Sequence, residues 1–212
     1  VQRGGDAPRA VTQAGYRYAD GVADGLRNRL ICVREDHAVE GREAVNSIVA
    51  VDLDGAAPDV TLVSGHDFYA NPRLNADGSQ LAWIAWNHPQ MPWTKTELWL
   101  ADVGPDGNAA NARCLVRGDE SVNQPVWAAD GSLLFVSDRS GWWNLYRWTE
   151  GGPQPLLERE AEFGRPQWVF GEPTYGVRSG KIVCSYSAEG RWRLGELDLA
   201  SGNWREINAP YT

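Results

Sequence analysis

Apolar residues in this chain come in short runs bounded by turn-forming pairs, and the runs recur at a nearly fixed interval. Leu30 to Val33, Leu81 to Ile84, Leu133 to Val136 and Ile182 to Cys184 each follow a small polar pair: Asp24-Gly25, Asp77-Gly78, Asp130-Gly131 and Ser179-Gly180. The Asp-Gly pairs lie 53 residues apart, and Ser179-Gly180 follows 49 residues later. An Asp-Gly pair supplies the positive φ values of a tight hairpin, so each pair reads as a turn between two strands. A second apolar run follows in every unit (Ile48 to Val51, Leu98 to Leu100, Leu145 to Trp148, Leu194 to Leu197), then a second turn at Asp54-Gly55, Asp106-Gly107, Gly151-Gly152 or Ser201-Gly202. A last run closes it: Val60 to Val63, Arg113 to Val116, Gln154 to Leu157, Trp204 to Ile207. Four short strands in about 50 residues are the size and content of one propeller blade.

The predicted fold is therefore all-β, a β-propeller of about four consecutive four-stranded blades spanning 15–63, 64–116, 117–159 and 160–207. Strands a to d run from the central channel outward. The rival fold is a β-sandwich with coincidental turn spacing. Within 1–14, residues 7–12 are expected to form the outer strand of a preceding blade, and 208–212 to start a next one. On this reading the chain is a fragment of a larger propeller of seven or eight blades.

Eleven Trp suit sheets stacked face to face, where each ring buries a large area. The net charge of −8 argues against nucleic acid as a partner but tolerates a cationic one, such as a peptide amino terminus. No apolar run approaches the ~20 residues that span a bilayer, so no membrane partner is expected. Three Cys do not read as a disulfide framework; Cys32 and Cys184 fall in apolar strands as buried thiols, and a cytoplasmic location is expected.

Two stretches, Asn71-Pro72-Arg73-Leu74-Asn75-Ala76-Asp77-Gly78-Ser79-Gln80-Leu81-Ala82-Trp83 and Gln124-Pro125-Val126-Trp127-Ala128-Ala129-Asp130-Gly131-Ser132-Leu133-Leu134-Phe135, resemble the repeat of TolB-type propellers. Beside them stand Val33-Arg34-Glu35-Asp36-His37, Val63-Ser64-Gly65-His66-Asp67-Phe68-Tyr69, His88-Pro89-Gln90-Met91-Pro92-Trp93 and Ser137-Asp138-Arg139-Ser140-Gly141-Trp142-Trp143-Asn144-Leu145-Tyr146. Glu160-Ala161-Glu162-Phe163-Gly164-Arg165-Pro166-Gln167-Trp168 and Gly190-Arg191-Trp192-Arg193-Leu194 complete the set. Together, from about Gly15 to Thr212, they resemble the propeller of the prolyl oligopeptidase family in its acylaminoacyl-peptidase and dipeptidyl-aminopeptidase branch. The resemblance implies a serine peptidase as parent, with an α/β-hydrolase domain after the propeller and a nucleophile in a Gly-x-Ser-x-Gly elbow. This chain has no such elbow, since Gly176-Val177-Arg178-Ser179-Gly180 has the wrong spacing, so no catalytic residue is assigned and the hydrolase domain is read as absent.

Blade topology puts a–b and c–d turns on one face and b–c loops with d–a connections on the other. The second set is long and decorated: Arg34 to His37, Trp86 to Glu97, Ser137 to Trp143 and Ser185 to Trp192. Elaborated loops bind more often than plain ones. The substrate or interface candidates are His88, Trp93 and Glu97 in the second loop and Asp138, Arg139, Trp142 and Trp143 in the third. Arg139 is expected over an indole of Trp142 or Trp143, and Asp138 either pairs with Arg139 or caps its own turn. Asp67 and Glu120 lie five residues before Pro72 and Pro125, and Glu162 four before Pro166; as an acidic ring at the channel mouth they would draw in peptide amino termini, or else serve as solvated or turn-capping acids. His37, His66 and His88 lie on separate loops without ligand spacing, so neither a metal nor a cofactor is expected.

The function expected is that of a non-catalytic propeller which admits short peptides to a hydrolase domain of the same parent protein, with self-association possible through uncovered blade faces. A free-standing protein-binding propeller and a two-carboxylate propeller glycosidase are the rival readings.

Overall fold

The computed structural model describes residues 9–208. Their strands form four antiparallel sheets of four. Blade 1 holds β1 (Tyr16–Asp24), β2 (Arg29–Asp36), β3 (Val45–Asp52) and β4 (Val60–Val63). Blade 2 holds β5 (Phe68–Leu74), β6 (Gln80–Trp86), β7 (Glu97–Val103) and β8 (Ala109–Val116). Blade 3 holds β9 (Val122–Trp127), β10 (Leu133–Ser137), β11 (Asn144–Thr149) and β12 (Gly152–Leu157). Blade 4 holds β13 (Tyr175–Arg178), β14 (Lys181–Ala188), β15 (Arg191–Asp198) and β16 (Trp204–Ile207).

The period-two alternation of a strand explains how the blades stack. In β6, Leu81, Trp83 and Ala85 face blade 1 and pack with Ile31, Val33 and Ile48. Ala82 and Ile84, one residue out of phase, face blade 3 and meet Val122, Leu133 and Phe135. In β10, Leu134 and Val136 point the other way, into a cluster with Ile182, Cys184 and Tyr186 of blade 4. A strand covered on both faces needs apolar residues throughout, which is why the second strands read as unbroken runs. At the outer face of blade 4 that cover ends, and Val183 stands 47 % exposed. On the free face of blade 1, Val11, Tyr18 and Leu30 close over Cys32, Val49 and Val51. Cys32 and Cys184 are buried, and no disulfide links the three Cys.

Residues 9–14 carry no strand; the rest of the segment expected to hold a preceding outer strand, like 209–212, lies outside the described residues. Asp77-Gly78 and Asp130-Gly131 do mark turns, but only the glycines take positive φ (69° and 83°), while each Asp side chain accepts the backbone N–H two residues on (Ser79, 2.9 Å; Ser132, 2.9 Å). At Asp24-Gly25 neither residue is left-handed and Asn28 (φ 49°) takes that role. Of these four pairs, Ser179-Gly180 alone has both residues at positive φ.

The inner strands carry a device of their own. Asp20, Asn71 and Gln124 sit at a bulge in β1, β5 and β9 with φ of 51°, 52° and 53°. Asp20 accepts hydrogen bonds from Asn71 N (2.5 Å) and Nδ2 (3.2 Å), and Asn71 Oδ1 accepts from Gln124 N (3.3 Å). Gln124 Oε1 accepts from Thr174 N (2.8 Å), and Tyr175 OH donates to Gln124 O (2.7 Å). One polar chain thus stitches all four blades along the channel wall.

Candidate functional site

The d–a connections and b–c loops do share one face, because side chains of one set bond to backbone and side-chain groups of the other. Asp67 Oδ2 accepts the His88 N–H at 2.9 Å, and Asp67 N donates to Asn87 Oδ1 at 2.8 Å. Glu120, 5 % exposed, accepts from Arg139 Nη2 (2.9 Å) and from Ser137 Oγ (2.5 Å). Glu162 Oε2 accepts the Trp143 N–H at 2.9 Å while its backbone bridges to Ser187. Each of these carboxylates therefore holds a neighbouring b–c loop in place. Replacing Glu120 by Ala should lower stability in urea unfolding by about 2 kcal/mol, since Arg139 and Ser137 lose their shared acceptor while the guanidinium keeps some solvent.

Around Glu120 the structure gathers Ser121, Ser137, Asp138 and Arg139. Asp138 Oδ1 accepts the Ser121 N–H at 2.6 Å, so this acid caps the preceding connection rather than its own turn, and burial pushes its carboxyl up. Arg139 pairs with Glu120 instead of Asp138, and its guanidinium lies over Tyr146 at 5.7 Å instead of Trp142 or Trp143. The reason is position: Trp143 turns inward, 8 % exposed, into the core of blades 3 and 4, while Trp142 points outward. His88 and Glu97 stand apart from this group. His88 Nε2 meets Glu43 Oε2 at 2.6 Å near the surface, and Glu97 opens β7, accepting from Trp99 Nε1 at 2.8 Å.

Two expectations for the loops change. Ser185 to Trp192 is no elaborated loop: β14 and β15 run on and close through Glu189-Gly190, both at positive φ (52° and 74°). The long connection is instead 158–174, between β12 and β13. Pro72 and Pro125 lie in inner strands, but Pro166 does not; residues 164–174 arch away as a strap before β13 begins. An Arg165–Glu172 ion pair (2.9 Å) ties the base of the strap. Trp168 reaches the b–c loop of blade 2 and packs on Trp93 with ring centroids 4.2 Å apart and planes tilted by 39°. Gly164 is required where the strap leaves the core, because a Cβ there would press on Trp143 and Val136 at 2.9 Å.

Cavities formed by the described residues adjoin the strap. One of about 270 Å³ lies against the inner strands, between Asn71, Arg73, Gln124 and Tyr175 on one side and Arg165 and Glu172 on the other. An open cleft of about 410 Å³ lies between Asp138, Trp143, Glu162 and Trp192. A third, of about 240 Å³, lies between the strap and the Trp86 to Glu97 loop. None of the site candidates fell in the strap: Arg165, Gln167 and Trp168 entered only through the family resemblance, although three large apolar residues in succession after Gln167 were a visible signal.

No protein-family model matches the chain, and no curated protein matches it. Among solved structures, a puromycin hydrolase superposes with a TM-score of 0.91 at 37 % identity, over 97 % of this chain and 33 % of its own. A puromycin-hydrolyzing peptidase of Mycobacterium tuberculosis gives 0.86 at 36 % identity, over 94 % of this chain and 32 % of its own. Prolyl oligopeptidase B of Galerina marginata gives 0.70 at 11 % identity over 92 % of this chain and 28 % of its own, a likeness of fold. The fold and its loop face define a β-propeller module. Its blades resemble part of two puromycin-hydrolyzing proteins at 36–37 % identity and share the fold of a prolyl oligopeptidase propeller region, and the chain spans about a third of the length of the puromycin hydrolases it resembles.

Proposed function

We propose that the chain is the non-catalytic propeller of a serine peptidase, which orients and size-selects short peptides for a hydrolase domain in the same longer protein. The observation that carries this reading is the 37 % identity with a puromycin hydrolase, sustained over 97 % of the chain. The asymmetry of the two faces supports it. One face carries tight turns; the other carries the strap, two Trp-bearing loops and the cavities beside them. Of the three carboxylates that anchor the loops, Glu120 is neutralised by Arg139, and Asp67 and Glu162, without an ion-pair partner among the described residues, leave negative charge on this face, suited to the amino end of a peptide.

The test compares the chain alone, the longer protein that contains it, and that protein with the blades deleted. The chain alone should not turn over puromycin or a short peptide. The longer protein should cleave both, and removal of the blades should extend cleavage to longer chains. Turnover by the chain alone, or a length preference indifferent to the blades, would sink the proposal.

A further inference from the structure

The cavity of about 270 Å³ against the inner strands is lined by Arg73, Gln124 and Arg165, whose donors the protein leaves partly unused. Arg73 Nη1 donates to Asp20 Oδ1 (3.3 Å) and to Pro72 O (2.8 Å), which fixes the side chain on the channel wall. Its Nε and Nη2 meet no acceptor among the described residues and are not buried, so they are the groups left for a ligand. Gln124 is fixed in the same way. Its Oε1 accepts from Thr174 N (2.8 Å) and Oγ1 (3.1 Å), so the other end of the amide, Nε2, is without a partner among the described residues and unburied. Arg165 comes from the strap, and its ionic partner is Glu172 at 2.9 Å, with both side chains 44 % exposed. An exposed pair of this kind contributes little, so Arg165 exchanges Glu172 readily for another acid.

Acceptors are scarce beside these donors. Gln167 Oε1 is sealed from solvent, and the Tyr175 hydroxyl is spent on Gln124 O. A cationic group would meet two guanidinium groups. A carboxylate suits them, because its two oxygens match the planar fork of a guanidinium and its charge makes each hydrogen bond stronger than a neutral carbonyl would. The volume falls below the roughly 300–1,000 Å³ of pockets that enclose whole drug-sized ligands, so the cavity takes one end or one side chain of a larger molecule.

We propose that this cavity binds a carboxylate of a short peptide, at its carboxyl terminus or on an acidic side chain, between Arg73 of β5 and Arg165 of the strap, with Gln124 Nε2 as a further donor. Glu172 holds Arg165 in the free protein and competes with the ligand. That the peptide is a substrate rests on the peptidase reading above; that its carboxylate binds does not.

The experiment titrates three blocked peptides into the chain at fixed ionic strength: N-acetyl-alanyl-alanine, its carboxyl-terminal amide, and N-acetyl-glutamyl-alanine amide. Acetylation removes the amino charge, so the acids of the rim play no part. Binding is followed by the arginine Nε–H signals in proton–nitrogen correlation spectra, with Arg73 and Arg165 assigned through Arg73→Lys and Arg165→Lys. At least one of the two carboxylate peptides should move both signals and bind about tenfold more tightly than the neutral amide. Either one supports the proposal, and the tighter of the two names the source of the carboxylate. Glu172→Gln should raise that affinity about threefold by freeing Arg165. Arg73→Lys should lower it about fivefold, because an ammonium engaged by Asp20 offers no fork to a second carboxylate. Lysine still provides Asp20 with an ionic partner, and unchanged spectra away from the cavity establish that each variant is folded. No preference for a carboxylate over the amide, weaker binding in Glu172→Gln, or an affinity untouched by Arg73→Lys would overturn the proposal. Carboxylate binding by a longer protein that lacks peptidase activity would remove that reading and leave the site. An active peptidase whose blades bind neither carboxylate would remove the site and leave the reading.

Discussion

Replacing Asp24 by Ala should remove about 3 kcal/mol of stability, the scale expected when one partner of a buried ion pair is deleted and the other charge is stranded. For a domain of this size that corresponds to a fall in Tm of roughly 6–12 °C, readable by calorimetry or circular dichroism. The Asp24 side chain is fully buried at the end of β1, with Arg29 Nε at 2.8 Å and Arg27 Nη1 at 3.1 Å. Arg27 also donates to the carbonyls of Gly78 (3.1 Å) and Gly104 (3.0 Å), in two turns of blade 2. The carboxylate therefore bolts blade 1 to blade 2 on the face away from the strap. Burial pushes the Asp24 carboxyl up, but the hydrogen bonds and charges of Arg29 and Arg27 outweigh it and hold the group below its ordinary 3.8. Because the folded value is the lower one, the unfolded chain binds more protons, and stability rises with pH across this titration. The contribution is fully present above the ordinary carboxylate range and is lost as pH falls from about 3.8 through the folded value. Asp24→Asn should flatten the acid limb of the stability profile relative to the parent. An unchanged Tm in Asp24→Ala, or an unaltered acid limb in Asp24→Asn, would show that the two blades do not depend on this bolt.

How much of this was legible beforehand follows from where the information sits. The blade pattern was, because Leu81 to Ile84 and Leu133 to Val136 are buried on both faces and must be apolar whatever else varies. Ser179-Gly180 was legible as a turn because two left-handed residues in succession demand such a pair. The inner polar chain was not. Asp20, Asn71 and Gln124 are different residue types, and only the bulge at each position makes them equivalent. The partner of Arg139 was hidden for a related reason. Asp138 is adjacent in sequence but aimed at Ser121, whereas Glu120 arrives from the preceding connection. The strap was misplaced by an alignment on proline. Pro72 and Pro125 each follow a left-handed residue inside an inner strand, five residues after an acid, whereas Pro166 comes four residues after its acid and lies outside any strand. Local text could not distinguish the two settings, because what ejects the strap is the early docking of Ala161 and Phe163 in the core.

That docking depends on a glycine far from it in sequence, and Gly195→Val should cost about 3 kcal/mol, the upper part of the range for overpacking a filled core. Gly195 is buried in β15, and a Cβ built there would overlap the Cη2 and Cζ2 atoms of Trp204. The indole lies flat over the glycine and reaches Phe163 (centroids 5.7 Å apart) and Tyr186 (5.3 Å), with the Arg159 guanidinium 5.1 Å from its ring. A side chain at 195 displaces the indole and removes the support on which Phe163 rests. Trp204→Ala alone should cost a similar amount, through a cavity rather than a clash. Gly195→Ala with Trp204→Ala should cost little more than Trp204→Ala alone, because the added methyl then falls in vacated space; neighbouring sites that share one cause are not additive. Strict additivity in denaturant unfolding would refute the packing account. Phe163 also donates its N–H to Trp143 O at 2.6 Å, one residue before the strap departs at Gly164. Loosening Trp204 should therefore reach the strap as well as the core, and Gly195→Val should raise hydrogen exchange in 164–174 more than in β6 or β10. Equal protection of the strap in parent and variant would separate the loop face from the packing of blade 4.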